Sequence, residues 1–185
     1  MDTPHAPATR EALDAAVAGL VGRSVRAVHY QQLDGEDPAV HDAVRDFADF
    51  AVVLELDDGM TAEIAWDGTF YQYGLTLHRH APGVPVEVGV AHDRTDQPPW
   101  PGLLGVPITR ASVVWWRWNA DMPAFPQAFL LHFGTRTPGP RRVLFSAAQP
   151  SGTAPAGLFP LSDWVAVLHD GAVIDAHLAA LGQAG

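Results

Sequence analysis

The 185-residue chain has no cysteine and no lysine; all eleven of its basic residues are arginine. With no thiol, disulfides, thiolate-bound zinc and cysteine nucleophiles are excluded. With no lysine, Schiff-base chemistry and the phosphate-gripping lysine of a P-loop are excluded too. Arginine without lysine, beside plentiful Ala, Gly and Pro, reads as a GC-rich coding genome and so as a bacterial protein.

Charge is the next scarcity. Charged residues make up 17% of the chain, against about a quarter in an average domain. They are also one-sided, 21 acidic against 11 basic, for a net charge of −10. Such a chain repels phosphate backbones, so nucleic acid is not an expected partner. A protein partner, neutral or basic, is expected instead, or a second copy forming a dimer. No uncharged apolar run reaches the ~18 residues of a membrane span. The opening "MDTPHAPATREALD" has no basic region followed by an apolar one, so neither membrane nor secretory signal is expected and the location is read as cytoplasmic. Gly-x-Gly-x-x-Gly, Walker and Gly-x-Ser-x-Gly patterns are missing as well.

What is present is enough apolar sequence, 48%, for a single domain over 1–185. Residues 9–22 read as a helix, with Thr9 as cap and Leu13, Ala16, Val17 and Leu20 at helical spacing. "SVRAVHYQQ" reads as a strand, and residues 36–47 as a short helix or ordered loop carrying Val40, Val44 and Phe47 on one face. Residues 50–80 carry the clearest pattern, a three-stranded antiparallel meander. A three-residue loop at Asp57, Asp58 and Gly59 sets Leu54 opposite Ala62 and Val52 opposite Ile64. A two-residue loop at Asp67-Gly68 then sets Ile64 opposite Tyr71 and Ala62 opposite Tyr73. The other face holds Glu55, Thr61, Glu63, Gln72, Thr76, His78 and His80.

A Pro/Gly-rich connector over 81–102, with a short strand at "VEVGV", leads to a second run of strands. "LGVPITRASVVWWRW" parallels "VGRSVRAVHYQQ", and "AFLLHF…RRVLFS" parallels "AVVLEL…TAEIAW". Two pseudo-repeat halves, 20–80 and 103–170, are therefore expected, the second ending in a strand or a hairpin turning at Asp170-Gly171. "DAHLAAL" closes the chain as a short helix. The expected fold class is α+β and strongly β-rich: an N-terminal helix, two successive antiparallel β-meanders packed in one domain, and a short C-terminal helix.

Three constellations carry functional readings. In "SVVWWRWNAD" strand alternation sends Trp116 to the core, leaves Trp118 at its rim and places Trp115 and Arg117 on the second face. Packing explains the cluster plainly. As a surface, Trp115, Arg117 and Trp118 make a binding patch. His78 and His80 share a strand face at a spacing metal sites use, and His92 with Asp93 follows across a loop. The plain reading is solvent-facing histidines, since Glu63 beside Gln72 lies six residues from His78, roughly 20 Å at ~3.3 Å per residue. Arg136, Arg141 and Arg142 form a basic hairpin tip that keeps the surface soluble, with anion holding as the alternative.

The leading expectation is a non-catalytic cytoplasmic interaction protein. The alternatives are a metal-binding protein or enzyme using His78, His80, His92 and Asp93, and a carrier of a small apolar ligand beside Trp66, Tyr71 and Trp116. No cofactor is expected apart from a divalent metal in the second case.

Overall fold

Thr9 opens the first helix, α1 (Arg10–Ala18), its hydroxyl accepting the Ala12 N–H at 3.2 Å. Leu13, Val17 and Leu20 are buried, on the single face that a 3.6-residue turn allows. The helix ends at Gly19 rather than Gly22, which holds a left-handed φ of 86° and donates its N–H to Ile108 O. The structure is a computed structural model that describes residues 9–32, 45–66, 68–70, 74–82, 89–134, 141–152 and 157–182.

Ten strands follow among the described residues: β1 (Val25–Gln32), β2 (Arg45–Ala48), β3 (Ala51–Leu56), β4 (Thr61–Trp66), β5 (Leu75–His80), β6 (Val90–Asp93), β7 (Ile108–Trp116), β8 (Phe125–Phe133), β9 (Arg141–Pro150) and β10 (Leu158–Leu168). They form two five-stranded antiparallel sheets, ordered β5-β4-β3-β1-β6 and β2-β10-β9-β8-β7. A 3₁₀ turn at Trp100–Gly102 follows β6, and a second helix, α2 (Gly171–Ala180), follows β10. The fold is α+β and β-rich, with a helix at each end.

Each sheet buries apolar side chains for a definite reason. Val28, Val52, Leu54, Ile64 and Leu77 from the first sheet meet Phe129, Leu131, Val143, Phe145 and Val165 from the second, and α1 adds Leu13 and Val17. A second core lies on the other face of the second sheet, where Ile174 and Leu181 pack with Phe47, Leu144 and Ala166. β9 is thus buried on both faces, which is why it reads as a continuous apolar run rather than an alternating one.

The first hairpin has the expected register, Val52 opposite Ile64 and Leu54 opposite Ala62, with Gly59 at φ 81°. The second does not. Ile64 pairs with Leu77 and Ala62 with Arg79, so the two-residue turn at Asp67-Gly68 is replaced by a wider connection; Asp67 and 71–73 lie outside the described residues. Gly68 still takes a left-handed φ of 73°.

Two further expectations change. Phe47 belongs to strand β2, not to a helix; the remainder of the 36–47 segment lies outside the described residues except at 45–47. Asp170-Gly171 is no hairpin turn. Asp170 caps α2, accepting the N–H groups of Ala172 and Val173, so the last helix begins at Gly171. In β10, four residues between Pro160 and Val165 bulge out opposite the adjacent pair Ala148 and Ala147. Leu161 sits in that bulge at φ 72°, a left-handed conformation that costs a branched residue of order 1–3 kcal/mol.

Candidate functional site

β7 is an edge strand of the second sheet, and its last residues are the tryptophan run. The register shifts between Val114 and Trp115, a bulge that re-aims the side chains beyond it. Trp115 packs toward the inter-sheet core and α1. Its Nε1 donates to Asp14 Oδ1 at 2.8 Å, the Arg10 guanidinium lies 4.7 Å over its ring, and Phe70 meets it edge-on at 5.6 Å. This side chain fastens α1 to the sheet. Trp116 packs on the second core, edge-on to Phe125 at 5.7 Å.

Trp118 continues that line outward. It stands edge-on to Trp116 at 5.6 Å and to Phe159 at 6.3 Å, with Trp118 47% and Phe159 40% exposed. Arg117 is exposed, and its Nη1 donates to Ala120 O at 3.4 Å. Of the three residues read from the sequence as a surface, Trp118 stands out as the exposed anchor and Trp115 is half-buried. Phe159 was missed because its segment gave no aromatic cluster; only the pairing of β10 with the rest of the sheet brings it to Trp118.

The histidines separate. β5, carrying His78 and His80, and β6, carrying His92 and Asp93, are opposite edges of the first sheet, about 19 Å apart at ~4.8 Å per strand. His92 also pairs with Tyr30 and Asp93 with His29, which puts those two on opposite faces. Asp93 accepts the Thr95 N–H at 2.9 Å, and hydrogen bonds from Thr95 hold its carboxyl below the usual range. Among the described residues no group of three or more His, Asp or Glu side chains is placed to hold a metal ion.

The β4–β5 register brings a different partner to the pair. Glu63 lies directly opposite His78, not six residues away, and its Oε2 is 2.7 Å from His80 Nε2. Both members of that hydrogen bond are nearly buried, at 4% and 9% exposure, so the solvent-facing reading of His80 does not hold. Thr76 shares the face and is fully buried. The apolar-carrier reading also loses its slot. Trp66 packs on the inter-sheet core and Trp116 on the other one.

One serine and one histidine do meet. Ser146 Oγ lies 3.0 Å from His177 Nε2, with Gln127 O at 3.4 Å. Ser146 is fully buried and His177 is 1% exposed. His177 Nδ1 has no hydrogen-bond partner, so no carboxylate orients the ring as a general base requires. The pair joins α2 to β9. No protein-family model matches the chain, and comparison with curated proteins and with solved structures found no match.

Proposed function

We propose that the chain is a non-catalytic cytoplasmic binding protein that docks a basic protein partner on the aromatic edge formed by Trp118 and Phe159. The observation that carries this reading is two large aromatic rings, both more than a third exposed, in contact with each other and backed by half-buried Trp116 and buried Phe125. Rings anchored from behind lose little freedom on binding, and aromatic anchors dominate binding energy at interfaces. Two exposed carboxylates, Asp121 beyond Trp118 and Asp163 beyond Phe159, flank them in sequence. With a net charge of −10 on each chain, self-association works against charge repulsion and a basic partner is favoured. The left-handed Leu161 beside Phe159 fits the tendency of strained backbone to gather at binding sites. A duplicated ancestry is supported by one feature, the matching order of β1-β3-β4-β5 and β7-β8-β9-β10 in the two sheets.

The test is a photo-crosslinking residue at position 118, used in cells, with each product identified by mass spectrometry. A basic heterologous protein as the main product is expected. Its affinity for the purified chain should fall about 30-fold or more on Trp118→Ser, the equivalent of ~2 kcal/mol at an interface hot spot. Self-crosslinks alone, an acidic product or no product would overturn the reading.

A further inference from the structure

We propose that the cavity at one end of the second sheet, lined by Pro99, Leu103, Arg141, Arg142, His169 and Gly171, is a binding site for a small organic anion with an oxyanion head and a short apolar body. Its volume is about 220 Å³, room for on the order of seven waters at ~30 Å³ each. A ligand of roughly that many heavy atoms fits.

Arg141 and Arg142 are neighbours on β9, so their side chains leave opposite faces of the strand. Both nevertheless line this cavity at the end of the sheet. Arg141 Nη1 donates to Gly102 O on the 3₁₀ turn. Arg142 reaches Asp175 at 2.7 and 3.1 Å and Gly171 O at 3.2 Å. The Arg142 guanidinium has more N–H donors than its three bonds use, and its planar fork matches carboxylate or phosphate oxygens. Pro99 and buried Leu103 supply the apolar wall.

Charges of both signs lie around the cavity: a basic row on the sheet, and Asp170 and Asp175 at α2. Arg110, His132 and Arg142 lie in one row across β7, β8 and β9. The His132 imidazole is held below its ordinary value by burial and then by Arg110 and Arg142. Asp175 partly neutralises Arg142, but its side chain is 64% exposed, so water and salt screen the pair and can replace it. A ligand displaces it at small cost. The first amides of α2 are already capped by Asp170, so the site rests on the arginines and the cavity rather than on the helix terminus.

Calorimetric titration of the purified chain with butyrate and, separately, with butyl phosphate tests the site. One saturable site per chain is expected for at least one probe, and the head that binds identifies the class. Arg142→Gln should weaken binding at least tenfold, and Asp175→Asn, which frees Arg142, should tighten it severalfold. Arg110→Gln removes the same charge outside the cavity lining and should change affinity less than twofold. The proposal is overturned by absence of saturable binding for both probes, by equal losses in the two arginine variants, or by an unchanged Asp175→Asn. The Arg110→Gln and Asp175→Asn results stand even if Arg142→Gln fails to fold.

Discussion

His177 is an imidazole that must stay neutral where it sits. Burial pulls its pKa down to about 4, whereas in an unfolded chain it titrates near ~6.5. Between those values the unfolded state holds more protons, so stability falls as pH drops from about 6.5 toward 4 and is fully present above that range. The shift corresponds to about 3 kcal/mol at its limit. Urea unfolding measured at intervals from pH 7 to pH 4 should show this slope, and His177→Gln should flatten it within that window. Equal slopes for both chains would mean that the buried ring does not couple protonation to folding. The tryptophan run makes a related point at the same scale. Period-two alternation correctly separated Trp116 from Trp115, because one lies over each core. It did not reveal that the second face is occupied by α1, through Asp14 and Arg10.

Elements whose ends carry a local chemical signature were the ones most legible in sequence. Thr9 and Gly59 announced the start of α1 and the first hairpin, and both do what their side chain or backbone freedom allows. Asp170 carried an equally strong signature that was assigned to a turn, since Asp-Gly serves hairpins and helix starts alike. Asp170→Ala should therefore destabilise the chain by about 1 kcal/mol, read as a lower urea midpoint with unchanged slope. A loss of only a few tenths would show that α2 is held by its packing on the second core alone. The β4–β5 pairing was illegible for a sharper reason. The true register differs from the expected one by an even number of residues, Ile64 meeting Leu77 in place of Tyr71. An even slip leaves every side chain on the same face, so alternation cannot detect it. That single slip separated Glu63 from His78 and His80, and with it hid the buried Glu63–His80 contact on that face.

At the scale of the molecule the question is what makes two sheets behave as one body. β2 falls between β1 and β3 in the chain, yet it pairs with β10 of the other sheet. No periodicity reports such a crossing, so the expectation of two successive meanders was right in fold class and missed both β2 and the connectivity it brings. The crossing is reinforced by a buried polar contact. Tyr30 on β1 donates to Asp46 Oδ2 on β2 at 3.1 Å, Trp100 Nε1 donates to Tyr30 Oη at 3.2 Å, and the Arg94 guanidinium lies 5.3 Å from the Tyr30 ring centre. Burial, and then the Asp46 carboxylate, push the Tyr30 phenol up, which keeps it protonated and donating. Tyr30→Phe takes this donor from a carboxylate that is only 3% exposed, a loss of about 1–3 kcal/mol. Measured in an Asp46→Asn background, the same substitution should cost clearly less, since the neutral amide needs the donor less. Equal costs in the two backgrounds would show that the Tyr30 hydroxyl acts through Trp100 rather than through Asp46. The coupled result would mean that the sheets are joined by a charge-assisted hydrogen bond as well as by apolar contact, and that cutting it loosens the junction through which β2 ties one sheet to the other.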